Sequence, residues 1–177
     1  MLLYLVLFPL VLLLLLGTFF IVKQQTAAVI ERFGKFTSVR QSGLHIKIPV
    51  IDRVSGRVSL KVQQLDVVVE TKTKDDVFVK LKVSVQFKVI KDKVYDAFYK
   101  LDFPQEQMNA YVFDVVRAEV PKMILDDVFE KKDDIAIAVK GELNEAMKNY
   151  GFDIIKTLVT DIDPDAQVKE SMNRINA

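Results

Sequence analysis

Cysteine and tryptophan are absent from this chain, and histidine occurs once, at His45. Without cysteine there is no disulfide framework, no cysteine-based zinc site and no thiol nucleophile. A single histidine excludes metal centres that need two imidazoles, such as the His-Glu-x-x-His arrangement. His45 lies between apolar neighbours in GLHIKIP with no nucleophile close by in sequence, so we interpret it as a structural residue. We therefore predict no catalytic residue, no metal site and no cofactor.

Neither sign of charge dominates the composition. The chain has 25 lysine and arginine residues against 24 aspartate and glutamate residues, a formal net charge of +1. A nucleic-acid-binding domain would need a basic face or a strongly basic composition, so we expect no nucleic-acid partner. Paired acidic residues fall at predicted turns and helix starts, where carboxylates cap helices and complement the helix dipole. These pairs are Asp75–Asp76, Asp126–Asp127 and Asp133–Asp134.

A long apolar run, MLLYLVLFPLVLLLLLGTFFIVKQQ, opens the chain and carries no charge from Leu2 to Val22. About 21 residues at ~1.5 Å each give roughly 31 Å, close to the hydrocarbon thickness of a bilayer. A cleaved signal peptide has a basic start and an apolar stretch of about 7–15 residues, neither of which is present. We predict a retained membrane anchor helix over residues 1–23. Its anchoring residues are Leu2, Leu5, Phe8, Pro9, Leu13, Leu16, Phe20 and Val22.

Two further features bear on the orientation and path of this anchor in the membrane. Lys23, Arg32, Lys35 and Arg40 follow the run, and this basic bias predicts that the rest of the chain lies on the cytoplasmic face. Pro9 would bend the helix, which leaves two alternatives, a single-pass spanning helix and a re-entrant dip.

Residues 24–90 predict a β-rich subdomain. A strand meets a turn at Gly34, and Pro49 confines a second strand, GLHIKIPVIDRV, to a sheet edge or end. The alternation of apolar residues slips by one at Gln63–Gln64, which indicates a β-bulge in a continuing strand. VFVKLKVSVQFKV then predicts a long antiparallel strand with one dry and one wet face.

Two stretches of this subdomain allow a membrane interpretation beside a structural one. Lys80, Lys82 and Lys88 either face anionic lipid headgroups or form the solvated face of a strand. The HIKIPVI stretch is either embedded in the membrane interface beside the anchor or buried in the domain core. Its candidate interface residues are Ile46, Ile48, Val50 and Ile51.

Helical periodicity begins at Lys91, and residues 91–163 predict an α/β subdomain. Helices are expected after Lys91, from Pro104 to Pro121, and from Asp133 to Tyr150, before a last strand in FDIIKTLVTDI. Residues 164–177 predict the start of another helix, with a candidate oligomer-forming stripe of Val168, Met172 and Ile175. Strands first and helices after predict an α+β fold.

Several motifs, at their separations, resemble the SPFH or band 7 superfamily of stomatin, prohibitin and flotillin. The likeness is greatest to the hypersensitive-induced reaction proteins and the bacterial stomatin-like proteins, and it covers nearly all of the chain after Lys23. The motifs are IERFGKF, GLHIKIPVIDRV, VQQLDV, ETKTKD, YVFDVVRA and DIDPD.

The resemblance implies a membrane-anchored scaffold without catalytic activity. Such proteins assemble with copies of themselves into rings or cages, organise membrane microdomains, and hold or regulate membrane proteins such as proteases. The chain departs from the pattern in two ways. It has Leu2 and no cysteine where the plant relatives carry acylation sites, so the anchor is expected to be protein and not lipid. It also ends at Ala177, where the family's coiled-coil helix is expected to begin.

Two alternatives come from other functional classes. One is a monomeric, membrane-tethered module that binds lipid or a partner protein. The other, less favoured because no nucleophile and base are paired in the sequence, is a membrane-tethered hydrolase that uses the aspartate pairs or His45.

Overall fold

A computed structural model of the chain describes residues 7–9, 12, 17–165 and 170. The chain divides into two compact units, one made of residues 1–61 and 89–100 and the other of residues 62–88 and 101–177. This division differs from the predicted boundary at residue 90, because residues 62–88 join the later helices and not the earlier strands.

The first unit contains two small antiparallel sheets. Strand β1 (Phe19–Val22) pairs with β4 (Gly43–Ile46), and β2 (Thr26–Arg32) lies between β3 (Lys35–Arg40) and β5 (Asp52–Ser59). The unit is completed by a 3-10 turn over Lys91–Lys93 and helix α1 (Val94–Tyr99). Its core is centred on β2, where Ala27, Ala28, Val29 and Ile30 are buried.

The turn predicted at Gly34 is confirmed. Phe33 and Gly34 have φ angles of 50° and 77°, both in the left-handed region. Two consecutive positive φ values characterise the type I′ turn, whose twist matches that of the flanking strands in a tight hairpin. The turn joins β2 to β3.

The second unit packs helices against a three-stranded sheet of order β6-β7-β8. Its strands are β6 (Gln63–Lys72), β7 (Phe78–Val89) and β8 (Phe152–Pro164). Its helices are α2 (Pro104–Glu119), α3 (Leu125–Glu130) and α4 (Lys132–Lys148), with a 3-10 turn over Val120–Lys122. The antiparallel sheets and the helices confirm the α+β fold class.

The central strand β7 follows its predicted alternation closely. The residues expected to point inward from Val79 onward are buried: Val79, Leu81, Val83, Val85, Phe87 and Val89. Ser84, expected on the wet face, is also buried, and its Oγ donates a hydrogen bond of 2.7 Å to Asp66. A short polar side chain can be covered at low cost when it has such a partner.

Two predictions about the strands are wrong. The anchor helix does not continue to Phe20 and Val22, because Phe19–Val22 forms β1 and pairs residue by residue with β4. The slip at Gln63–Gln64 is not a bulge in a continuing strand, because β5 ends at Ser59 and β6, in a different sheet, begins at Gln63. In both places a partner distant in sequence decides the structure, so a local pattern could not identify it.

Of the anchor residues, Phe8 and Pro9 are helical and exposed, whereas Leu2, Leu5, Leu13 and Leu16 lie outside the described residues. The candidate oligomer stripe of Val168, Met172 and Ile175 also lies outside them. Among the helices that the structure describes, none has the length and apolar character needed to cross a membrane.

Candidate membrane-contact surface

One face of the β1–β4 pair presents large apolar side chains to solvent. Residues directly opposite in an antiparallel pair project to the same side of the sheet. Phe19 is opposite Ile46, and Ile21 is opposite Leu44, so all four share one face. Each is between 53% and 66% exposed. We call these four residues the β1–β4 face.

The reverse side of the same two strands faces the protein. Val22 is buried, and the ring of Phe20 packs against that of His45 with centroids 5.6 Å apart. The imidazole Nε2 of His45 donates a hydrogen bond to the carbonyl of Gln41, at the turn before β4. These contacts agree with the structural role predicted for His45. They also fix which side of the strands remains uncovered.

The loop over residues 47–51 adds further exposed apolar side chains. Ile48 is exposed, Val50 is 92% exposed, and Ile51 is half-buried. Val50 has a φ of 72°, in the left-handed region that β-branched residues rarely adopt. Strain of this kind persists only where the surrounding structure enforces it, and it is concentrated at functional sites.

A buried carboxylate holds this loop in place. Asp52 accepts hydrogen bonds from Nε and Nη2 of Arg32, at 2.8 and 3.3 Å, and from the backbone N–H of Ile48, at 2.9 Å. The Arg32 hydrogen bonds, followed by the Ile48 amide, lower the pKa of Asp52 below its ordinary value. The ionised carboxylate thus ties the start of the loop to β2 and β5.

Comparison with known proteins identifies the kind of domain that carries this surface. Residues 20–177 match the SPFH domain / Band 7 family. The chain belongs to this family. The resemblance predicted from the sequence motifs is confirmed. Members of the SPFH family are typically membrane-associated scaffolds.

The relatives cover most of this SPFH chain. It is 46% identical over 157 residues to Hypersensitive-induced response protein 4 of Arabidopsis thaliana. The aligned region covers 88% of this chain and 54% of that protein. It is 30% identical over 152 residues to Stomatin-like protein 2, mitochondrial, of Bos taurus and of Homo sapiens, covering 85% of this chain and 42% of each relative. The chain therefore spans about half the length of the curated relatives it matches, or less.

The structure places the candidate interface residues of this SPFH domain at its surface. Ile46, Ile48 and Val50 are exposed, so the alternative interpretation, a strand buried in the domain core, does not hold for them. Sequence reasoning missed Phe19 and Ile21, because the prediction places residues 19–22 in the anchor helix. It also missed Leu44, which directly precedes the HIKIPVI stretch. No signal in the sequence marks Phe19 and Ile21, because all four residues of FFIV are apolar and the sequence does not show which of them face outward.

The acidic pairs lie at a turn or at helix starts, as predicted. Asp126 and Asp127 are in the first turn of α3, and Asp133 and Asp134 are in the first turn of α4. The Asp75 carboxylate accepts hydrogen bonds from Oγ1 of Thr73, at 2.6 Å, and from the N–H of Leu125, at 3.1 Å. The Thr73 bond is the main cause that lowers the pKa of Asp75. In the described part of the chain, no three His, Cys, Asp or Glu residues are grouped so that they could hold a metal.

The lysine row on the wet face of β7 is paired with acidic side chains. Lys82 lies 3.2 Å from Asp66, Lys80 lies 3.8 Å from Glu70, and Lys88 lies 4.0 Å from Asp153. A row neutralised in this way has little charge left to attract anionic lipid. The arrangement favours the interpretation of a solvated strand face.

Proposed function

We propose that this protein is a non-catalytic scaffold, anchored to a membrane by its N-terminal segment, that self-associates. In this role it organises membrane microdomains and holds or regulates membrane proteins such as proteases. Family membership supports the scaffold role, and the position of the apolar surface supports the membrane contact. The basic residues after the N-terminal run support an SPFH domain on the cytoplasmic side.

The observation that carries the membrane contact is the exposed β1–β4 face. It begins at Phe19, near the C-terminal end of the apolar N-terminal run, so a chain held in the bilayer by the residues before Phe19 keeps this face within a few residues of the lipid. Burying a large apolar side chain fully gains about 1.5–3 kcal/mol. Four half-exposed side chains would therefore add several kcal/mol, roughly half of the full transfer energy for each.

The strained loop supports the same assignment. Val50 is held in an unfavourable backbone conformation at nearly full exposure, and an aliphatic side chain gains nothing from water. Insertion of Ile48 and Val50 into the apolar part of a lipid leaflet supplies the missing gain. We therefore include Ile46, Ile48, Val50 and Ile51, with Phe19, Ile21 and Leu44, in the proposed membrane-contact surface.

Self-association is tested by the mass of the particle extracted from membranes in a mild detergent. The scaffold predicts particles many times heavier than one chain, with no turnover of a substrate. Extracted particles with the mass of a single chain would contradict the scaffold. If the protein also co-sediments with membranes before extraction, this result would support the alternative, a monomeric membrane-tethered module. An activity that is lost in His45→Ala while the fold is kept would contradict the non-catalytic role.

A further inference from the structure

The near-zero net charge of the chain conceals a strong asymmetry between its two units. Residues 1–61 and 89–100 contain eleven basic and four acidic residues, a formal charge of +7. The remaining residues contain fourteen basic and twenty acidic residues, a formal charge of −6. The unit that carries the exposed apolar face is thus the basic one.

Most of the few acidic groups in the basic unit are already engaged. Asp52 pairs with Arg32, and Asp96 pairs with Lys100 at 2.8 Å. Glu31 accepts a hydrogen bond of 2.6 Å from the hydroxyl of Tyr99. These carboxylates therefore leave the other cations of the unit largely uncompensated.

Lys23 and Arg57 lie at the far end of the β1–β4 face, and strand register places Arg40 on the same side of its sheet as Arg57. Arg57 donates from Nη2 to the carbonyl of Ile21, at 3.4 Å. Arg40 and Arg57 are both register partners of Ala28, one on each side of β2, so they project from the same side of that sheet. Lys23 directly follows β1. Among the described residues, none of the three has a carboxylate within salt-bridge distance.

The spacing of these cations matches the layers of a lipid leaflet. Lys23 is two residues beyond Ile21, or about 7 Å along an extended strand. The headgroup region of one leaflet is about 5–7 Å thick. With Ile21 at the edge of the hydrocarbon, Lys23 and the guanidinium of Arg57 lie at the level of the lipid phosphates. Arginine binds phosphate oxygens through two parallel N–H groups, which favours this position.

We infer that Lys23, Arg40 and Arg57 form a headgroup site that makes this unit select anionic phospholipids. The inference rests on the proposed function, because it requires the β1–β4 face to contact the bilayer. It adds the lipid class, phospholipids with net negative headgroups, and the residues that recognise it. The site is distinct from the Lys80, Lys82 and Lys88 row, whose charges are paired.

The absence of tryptophan provides a direct reporter for the test. A Val50→Trp variant of the full chain has one tryptophan, at an exposed position where a side chain that is not β-branched adds no strain. The variant is reconstituted in vesicles with equal amounts of phosphatidylcholine and phosphatidylglycerol. Two preparations differ only in which lipid carries bromine on its acyl chains. Bromine quenches tryptophan on contact, so the two preparations report which lipid lies beside the surface.

We expect brominated phosphatidylglycerol to occupy lipid positions beside this tryptophan at least about fivefold more often than brominated phosphatidylcholine. Fivefold corresponds to the roughly 1 kcal/mol that one basic side chain contributes near an anionic surface. Raising the salt from about 0.01 M to 1 M shortens the Debye length from roughly 30 Å to 3 Å and should reduce the ratio towards one.

Matched variants assign the preference to these residues. Changing Lys23, Arg40 and Arg57 to Gln should remove the preference for phosphatidylglycerol. Arg40→Lys with Arg57→Lys should keep most of this preference. The double change Lys23→Gln with Arg40→Gln should weaken it without touching the bond from Arg57 to Ile21. The control changes Lys74, Lys132 and Lys156 to Gln, three exposed lysines of the acidic unit, and alters the net charge equally.

The outcomes separate this inference from the proposed function. Strong but equal quenching by the two lipids would overturn the headgroup site and leave the membrane contact intact. A preference that survives in the triple variant, or is lost equally in the control, would also overturn the site. No quenching by either lipid would contradict the membrane contact itself.

Discussion

Asp52 shows how one side chain fixes the shape of the proposed contact surface. Its carboxylate is buried and accepts hydrogen bonds from Arg32 and from the backbone of Ile48. Both bonds favour the ionised form, so the pKa of Asp52 is lowered. A carboxyl with a lowered pKa stabilises the fold above its ordinary pKa, and this contribution is lost as the pH falls through the lowered value.

We therefore expect Asp52→Asn to lower the unfolding temperature at pH 7, with faster hydrogen exchange at the Ile48 amide. At a pH low enough to protonate Asp52 in the folded protein, the difference between wild type and variant should shrink. Thermal unfolding followed by circular dichroism in detergent micelles measures the unfolding temperatures of wild type and variant at both pH values. Asp92→Asn, at an exposed position of the same unit, is the control for the chemical change. An Asp52→Asn difference that stays constant with pH would contradict the role of the ionised carboxylate.

Gly56 is required by a close contact within the first unit. A Cβ added there would lie 2.4 Å from Cε2 and 2.7 Å from Cζ of Phe98, so the ring would have to move. Overpacking of this kind costs about 1–3 kcal/mol, and we expect Gly56→Ala to lose that much free energy of unfolding. Gly141→Ala is the matched control. It meets no atom within 4 Å in helix α4 and should stabilise by roughly 0.5–1 kcal/mol. Urea unfolding compares the two, and equal stability of both variants would refute the steric argument.

At the scale of elements, β7 is the strand that sequence predicts best. Its alternation is a property of the chain itself, because successive side chains of a strand point to opposite faces. The helices α2 and α4 are predicted nearly as well, from Pro104 at the start of one and the apolar stripe of Ile135, Val139, Leu143 and Met147 in the other. Elements that carry their own periodicity can be predicted before any partner is known.

Strand β1 could not be predicted in this way. FFIV suits both a membrane helix and a strand, and only its pairing with Leu44, His45 and Ile46 decides between them. The same holds for the break between β5 and β6, where one strand pairs with β2 and the other with β7. The candidate surface depends on the first of these pairings, which is why only Ile46 of β4 and the loop residues Ile48, Val50 and Ile51 could be predicted.

The dry face of β7 should dominate the stability of the second unit. Leu81 is fully buried, and we expect Leu81→Ala to cost about 2–5 kcal/mol of unfolding free energy. Lys80→Ala is the neighbouring control on the wet face, where an exposed ion pair with Glu70 contributes at most about 1 kcal/mol. Chemical unfolding in detergent micelles measures both values. A similar loss in the two variants would contradict the assignment of dry and wet faces.

At the scale of the whole molecule, the distribution of charge matters more than its sum. A net charge of +1 argues against a strongly basic composition, but it conceals the basic unit. The boundaries of this unit could not be predicted from sequence, because residues 89–100 belong to the same unit as the first strands although β6 and β7 lie between them in the chain. The basic unit includes Lys91, Lys93 and Lys100 only because residues 89–100 belong to it.

We expect the β1–β4 face to lie in the lipid, and an equally exposed residue of the second unit, outside the proposed contact surface, to remain in water. Because the chain has no cysteine, a single cysteine at either Ile46 or Ile137 can carry an environment-sensitive NBD fluorophore. The two isoleucines are matched in exposure, at 66% and 68%, and belong to different units. In reconstituted vesicles, NBD at position 46 should shift its emission to shorter wavelength and be quenched by lipids spin-labelled on the acyl chain, whereas NBD at position 137 should show neither change. Water-like emission at position 46, or an equal shift at both positions, would contradict the claim.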